Sequence, residues 1–340
     1  MEHFLGIALK NIFRQKKRSF TLGVNYAIVT FILVSLFAFS NGAKVNIFNS
    51  LTKASAGHIT ITGRYAKDGR VYAGILRTRE IIETVRSTLG PDAKVLPRYQ
   101  VQSALYFGGL SKRLSFAGID TAVDDMFEPQ LSFLSGSWSE YASEPNGVAV
   151  PQEAADYFGL QLGDEVVIST RTRFGAFNTG ILKVRGIYVT ENYFAQSLMF
   201  THFDFLRNLD LADPDASTSL YVYLPSIEDI GKKRDNLSTT LAGIGFESSA
   251  PKDNSEAIAA VSAASTKYEE DKEGRDRVIL KLTTIDEALG IVATVLAAVN
   301  AIGALIAAVM LFVIAVSIFI NLKRSEERRV GKEGRFRWSP

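Results

Sequence analysis

Two long apolar stretches dominate the pattern of hydrophobic and polar positions along the chain. The first, 20–43, holds no charged residue over 24 positions and as a helix measures about 36 Å. Because the hydrocarbon core of a bilayer is roughly 30 Å thick, this stretch predicts a transmembrane helix. A cleaved signal peptide is the alternative, but the run exceeds the roughly 7–15 apolar residues of a signal peptide.

The second apolar stretch, 288–322, runs for 35 residues without a charge, about 52 Å as one helix. It is too short for two spans joined by a turn and too long for one. It therefore predicts a stalk at 288–300 that packs on a partner, followed by a transmembrane helix at 302–322. Small residues at four-residue spacing allow close helix packing in lipid, which makes a candidate helix seam: Ala297, Asn300, Gly303, Ala304 and Ala307. An alanine-rich helix without a special contact is the alternative.

Positive charge before the first span predicts the orientation of the chain. The cluster consists of Lys10, Arg14, Lys16, Lys17 and Arg18. The positive-inside rule then places the N-terminus in the cytoplasm and residues 44–287 outside it. Apolar positions in 1–19 recur at helical spacing, which predicts a cytoplasmic amphipathic elbow helix; a disordered basic leader is the alternative.

Alternating and helical patterns follow one another between the two spans. They predict an α+β membrane protein in which two transmembrane helices flank a two-lobed mixed α/β extracytoplasmic domain. Strands are expected at 57–63, 95–105, 182–189 and 219–224, a hairpin through Gly108-Gly109 within 103–119, and helices at 77–89, 203–209 and 228–241. The segment 146–168 predicts strand, short helix, turn and strand. From Ser255 the chain is expected to be one long helix that continues into the second span, a candidate lever.

Composition excludes several classes of function. The chain has a net charge of +2, but residues 44–323 carry 27 Lys+Arg and 32 Asp+Glu, which argues against a nucleic-acid-binding protein. No cysteine is present, so disulfides, thiolate metal sites and cysteine nucleophiles are excluded. No phosphate-binding Gly-Lys-Ser/Thr loop occurs, and the three histidines lack metal-ligand spacing. The adjacent pair Asp124-Asp125 is interpreted as solvated. No catalytic, cofactor or metal site is expected.

Several weak motifs, taken in order, resemble one known family. These are the basic ALKNIFRQKKRS at 8–19, AGID at 117–120, FLSGSW at 133–138, NGVAVPQEAADYFGLQLGDEVVI at 146–168 and VRGIY at 184–188. In this order and spacing they resemble the permease subunits of MacB-type ABC transporters, which include LolC/LolE and FtsX-type proteins. Within these motifs, five positions are expected to have structural roles at turns and strand ends: Gly118, Asp120, Gly163, Asp164 and Gly186. Unusual backbone geometry is expected at all of them except Asp120.

The resemblance implies a membrane-proximal α/β lobe at about 44–100 and 220–285, with a β-rich lobe at about 101–219 inserted in it. It implies that ATP and Mg are bound by a separate ABC ATPase, that a second permease copy or paralogue pairs with this chain, and that lipoproteins or a periplasmic adaptor can be partners. Lipoprotein release is favoured slightly over efflux, in a bacterial inner membrane. A two-span membrane sensor and an FtsX-type regulator of cell-wall hydrolases are the alternatives.

The last residues, 324–340, read RSEERRVGKEGRFRWSP and resemble the translation of a sequencing adapter. We therefore expect the natural chain to continue after Lys323 and leave this tail out of the functional interpretation. A genuine basic cytoplasmic helix is the alternative.

Overall fold

The computed structural model describes residues 16–54, 56–67, 70–249, 278–290, 294–295, 297–313, 315–316 and 319. The chain forms two compact units, one of residues 1–46 with 291–340 and one of residues 47–290. The predicted elbow helix up to residue 15, the charged segment 251–277 and the tail 324–340 lie outside the described residues.

A single continuous helix, α1 (Lys16–Ala54), contains the first apolar stretch and runs 11 residues past its predicted end. Its segment Tyr26–Lys53 has a mean hydropathy of 1.7 and is the one helix in the described residues long and apolar enough to cross a membrane. The second apolar helix, Ala297–Val313, has 17 described residues. This is fewer than the roughly 20 residues that a full span needs. Two spans therefore remain a prediction.

The unit 47–290 is a mixed α/β domain. Its helices are α2 (Thr78–Leu89), α3 (Trp138–Ser143), α4 (Gln152–Phe158), α5 (Phe203–Leu209), α6 (Ile230–Gly243) and α7 (Ile285–Ala288). Its strands are β1 (Ile59–Lys67), β2 (Arg70–Ala73), β3 (Lys94–Phe107), β4 (Leu110–Ile119), β5 (Ser132–Gly136), β6 (Gly147–Pro151), β7 (Glu165–Arg171), β8 (Phe177–Val189), β9 (Leu198–His202), β10 (Ser219–Tyr223), β11 (Glu247–Ser249) and β12 (Val278–Thr284). These bounds agree with the strands, helices and hairpin expected between residues 57 and 243.

The described strands join one sheet with two regions. Six of them close a ring of pairings, β3–β4–β9–β6–β8–β7 and back to β3, so this region is a small barrel. Closure leaves no free strand edge in the ring. The first half of β3 instead pairs with β10, from which β1, β12 and β11 extend the sheet. The two regions of the sheet are thus joined through β3, which pairs along one edge first with β10 and then with β7. The expected bounds of two lobes remain a prediction.

The cores follow from the alternation along these strands. Inward positions of β3, β7 and β8 fill the barrel, with Leu105, Ile168 and Val184 fully buried. Helix α2 buries one apolar stripe, which includes Ile81 and Val85. It packs against α6 beside the open part of the sheet.

The expected single helix from Ser255 into the second span is wrong at residues 278–284. These residues form β12, in which inward Val278, Leu280 and Leu282 alternate with less buried positions. Pairing with β1 over seven positions outweighs the helical tendency, because it buries one face of the strand. The alternation and the β-branched residues were visible in the sequence. The lever hypothesis of one helix from 255 to 322 fails with this strand.

The glycines of the family motifs have different roles. Gly163 has φ of +93°, a left-handed turn conformation that glycine adopts without strain. Gly118 and Gly186 have no positive φ, so the expectation of unusual backbone geometry is wrong for them. They provide space: a Cβ on Gly118 would lie 3.1 Å from Phe203 Cα, and one on Gly186 would lie 2.3 Å from the Phe133 ring.

Candidate functional site: the attachment of helix α1

The two chain segments that lead to the apolar stretches leave the domain side by side. Strand β1 follows α1, strand β12 precedes α7, and the two are antiparallel with Ile59 opposite Thr284. The amide of Ile285 donates to the carbonyl of His58 at 2.9 Å. Thr284 and Glu287 form a reciprocal capping box that starts α7 at this point. The two segments are therefore adjacent and hydrogen-bonded to each other.

Two side chains of the domain hold the last turns of α1. Asn192, in the β8–β9 loop, donates from Nδ2 to the Ser50 carbonyl at 3.0 Å. The Tyr223 hydroxyl donates to the Thr52 carbonyl at 3.0 Å. Both carbonyls belong to the last turns of α1, which ends at Ala54. We call Asn192 and Tyr223, with these two carbonyls, the helix-end latch.

A chain of hydrogen bonds connects the latch to the interior of the domain. Asn192 Nδ2 also donates to Gln130 Oε1 at 2.6 Å, and Gln130 Nε2 donates to the Met126 carbonyl. The Met126 amide donates to Asp124 Oδ1 at 3.2 Å. The loop after β4 thus supports the latch from behind.

A buried ion pair anchors this loop. Arg98 Nε lies 2.9 Å from Asp124 Oδ2, and both side chains are almost completely buried. The Arg98 guanidinium lies 4.2 Å from the centroid of the Phe127 ring and 4.7 Å from that of Tyr221. The interpretation of Asp124 as solvated is therefore wrong, because the arginine of β3 neutralises it. Asp125, 70% exposed, pairs with Lys94 at the surface.

Burial also shifts the titration of the polar groups at the attachment. Burial raises the pKa of the Tyr223 hydroxyl, so that it keeps the proton it donates to Thr52. Burial lowers the pKa of His58 from its ordinary value of 6.5. The Nδ1 atom of His58 accepts from the Leu224 amide at 2.9 Å, which requires a lone pair on that nitrogen.

A second polar cluster connects β1 to the barrel. Arg173, in the β7–β8 hairpin, lies 2.8 Å from Asp210 and donates to the hydroxyls of Tyr65 and Tyr99. Tyr65 belongs to β1, so the strand that leaves α1 is tied to the far hairpin of the barrel. Both Arg173 and Asp210 are largely buried, which makes this connection stiff.

The attachment is built from hydrogen bonds and strand pairing. Among the described residues no group of His, Cys, Asp and Glu could hold a metal ion. Side-chain hydrogen bonds connect the end of α1 to β10 and to the β8–β9 loop. Strand pairing connects β1 to β12, and Arg173 connects β1 to the barrel.

The structure also locates the residues predicted as sites. Lys10 and Arg14 lie outside the described residues, while Lys16, Lys17 and Arg18 begin α1. Asp120 ends β4 with an Asx turn to the Ala122 amide, and Asp164 Oδ2 accepts from the Gln161 amide.

In the candidate seam, only Gly303 is buried among the five residues. A Cβ at this position would lie 2.4 Å from Leu36 Cδ2, so the glycine lets the second apolar helix approach α1. Ala297 and Ala304 are exposed, and Asn300 and Ala307 are half-buried. Gly303 therefore faces a helix of its own chain.

Sequence reasoning missed the residues of the attachment itself. Asn192, Tyr223, Arg98 and Arg173 belong to no motif, and their partners lie 26 to 171 residues away along the chain. The arginine at position 98, which directly follows the apolar residues 95–97, is the available signal of a buried partner.

Comparison with known proteins found no matching family model and no matching curated protein. Among solved structures, the chain is similar to the extracellular domain of the noncanonic ABC-type transporter YknZ from Gram-positive bacteria (TM-score 0.37, 15% identity, 54% of this chain and 93% of that one). It is similar to the periplasmic region of MacB from Actinobacillus actinomycetemcomitans (TM-score 0.37, 14% identity, 56% and 86%). It is also similar to a domain of a putative permease protein from Porphyromonas gingivalis (TM-score 0.35, 11% identity, 66% and 87%). Similarities at this distance do not establish a shared function.

Proposed function

We propose that this chain is a permease subunit of an ABC transporter that passes mechanical work from a separate ATPase to an extracytoplasmic domain. The observation that supports this most is the antiparallel pairing of β1 with β12, which brings the two connections to the apolar stretches together. Force applied to either stretch acts on the same edge of the domain. The motif order in the sequence supports the same proposal.

The coupling element in this proposal is the helix-end latch with the β1–β12 pair, in place of the discarded long helix. In this proposal the chain acts by changing shape, and the separate ATPase supplies the energy. A two-state movement needs contacts that differ between the two states. The bonds from Asn192 and Tyr223 to α1 are the contacts that we expect to change.

The proposed partners follow from the resemblance. ATP and Mg bind to the ABC ATPase subunits, and a second permease copy or a paralogue completes the membrane domain. The proposed location is the bacterial inner membrane, with the N-terminus in the cytoplasm and residues 44–287 outside it, in a multi-pass arrangement. Lipoprotein release is the favoured activity and efflux of another periplasmic substrate is the second.

A pull-down from membranes of the source cells tests the identity of the partner. The tagged chain should co-purify with a protein that has a phosphate-binding loop and hydrolyses ATP. Co-purification with a histidine kinase would instead support the sensor alternative, and a cell-wall hydrolase would support the FtsX-type alternative.

An uncoupling variant tests the mechanism within the same complex. Asn192→Ala removes the donor to the Ser50 carbonyl and should leave ATP hydrolysis intact while cargo release falls. Asn236→Ala, at an exposed position of α6, is the matched control and should change neither. Equal cargo release by both variants would contradict transmission through the latch.

Charge reversal tests the proposed orientation. Lys16→Glu, Lys17→Glu and Arg18→Glu together should weaken or invert the insertion of α1. Protease protection of residues 44–287 identical to that of the unchanged chain would contradict the orientation.

A further inference from the structure

A groove on the barrel lies away from the attachment of α1. It has a volume of about 570 Å³ and is lined by the end of α3, the α3–β6 connection, the first half of β8 and helix α5. A volume of this size suits a small ligand. None of the residues of the helix-end latch contributes to it.

One lining residue of the groove is an aromatic ring that packs beside a glycine. Gly180 of β8 carries no side chain, and a Cβ there would lie 2.8 Å from Phe205 Cζ. The ring of Phe205 therefore rests directly on the strand. Leu209 lies beside it and extends the apolar surface.

The walls of the groove carry amide and hydroxyl groups. Thr121, Asn146, Thr179 and Asn208 line it, and within the described residues their side chains make no hydrogen bond. Asn178, in contrast, is held in place by a bond from its Nδ2 to the Leu209 carbonyl at 2.8 Å. An amide offers both donors and an acceptor, and a hydroxyl offers both as well.

The charge of the lining restricts the ligand. No lysine or arginine lines the groove, so an anionic group would find no counter-charge. The one carboxylate, Asp204, already pairs with Arg207 at 2.8 Å. His202 Nε2 lies 3.0 Å from the Tyr141 carbonyl. The site suits an uncharged ligand with an apolar face and several groups that both donate and accept.

We propose that this groove binds a neutral saccharide. A sugar ring presents an apolar face that stacks on an aromatic ring such as Phe205. Its hydroxyls pair with side-chain amides such as Asn146 and Asn208 and with the threonine hydroxyls. This inference is independent of the proposed transport function, because it uses none of the residues of the helix-end latch.

Ligand-observed saturation-transfer NMR on the full chain in lipid nanodiscs tests the proposal. Nanodiscs avoid the sugar headgroups of common detergents. The probes are chitotriose, maltotriose and a capped neutral tripeptide, each at up to about 10 mM. At this concentration a binding site with a Kd of about 1 mM is mostly occupied. Saturable transfer to either saccharide is expected.

Variants at exposed positions make the result specific. Asn146→Ala and Asn208→Ala should each weaken saccharide binding about fivefold, as expected for one lost hydrogen bond. Asn236→Ala is the control and should bind as the unchanged chain does. Absence of transfer to both saccharides, transfer to the tripeptide alone, or equal binding by both groove variants and the control would each overturn the proposal.

Discussion

The replacement Arg98→Met tests whether the buried ion pair supports the attachment of α1. Methionine keeps most of the length and apolar contact of the arginine stem but removes its charge. Asp124, 1% exposed in the structure, would then be a buried carboxylate that has lost its guanidinium partner. The stacking of Arg98 between Phe127 and Tyr221 would be weakened as well.

The expected cost is about 3–5 kcal/mol, the usual range when one partner of a buried pair is removed. For a domain of this size, that corresponds to a fall in Tm of about 6–20 °C. The exposed pair of Arg79 and Asp215, at 3.5 Å, provides the control, and Arg79→Met should cost less than about 1 kcal/mol.

Denaturant unfolding of the full chain in nanodiscs, followed by tryptophan fluorescence, measures these differences. The double variant Arg98→Met/Asp124→Asn should recover a large part of the loss, because no uncompensated charge remains. Equal stabilities of Arg98→Met and Arg79→Met, or a double variant less stable than Arg98→Met, would refute the reasoning.

Three further predictions concern the latch, the helix pair and pH. Asn192→Ala should speed hydrogen exchange in the last turns of α1, since one of the two side chains that hold this helix end is lost. Mass spectrometry measures the exchange rates, with Asn236→Ala as the control. Equal rates in the two variants would contradict the role of the latch. Gly303→Leu should lower the Tm, because a Cβ at this position would already lie 2.4 Å from a side chain of α1. Ala304→Leu, at an exposed position, is the control and should have little effect on the Tm. Equal Tm values of the two variants would show that the packing is not specific. Because burial lowers the pKa of His58, the unfolded state binds the proton more readily, so stability should fall as pH drops below about 6.5. His58→Gln should reduce this dependence in denaturation measured across pH, and an unchanged slope would exclude His58 as its source.

Local pattern was enough to predict most of the elements between residues 57 and 243. Alternation predicted β1 and β3, in which buried positions are interleaved with less buried ones. The apolar pattern of 219–224 also predicted β10, although all five residues of that strand are buried. The pair Gly108-Gly109 predicted a tight hairpin, and both residues have positive φ, as two-residue hairpin turns require. The apolar stretch 20–43 predicted a long helix, because its length and lack of charge leave few other structures.

Local pattern failed where long-range pairing decides the structure. Residues 278–284 pair with β1, which lies more than 200 positions earlier in the chain. The apolar helical stretch that follows these residues favoured the wrong interpretation of them as helix. Asp124 looks like a surface carboxylate next to Asp125, and only the approach of Arg98 makes its burial tolerable.

The sequence by itself determined the division into apolar segments and an α/β domain, because periodicity and charge are properties of neighbouring residues. Tertiary structure alone decided the closure of the barrel, the pairing of β1 with β12 and the attachment of α1 through Asn192 and Tyr223. The physical reason is that a hydrogen bond or ion pair between distant residues depends on how the whole sheet folds. No local pattern encodes which carbonyl a given side chain will meet.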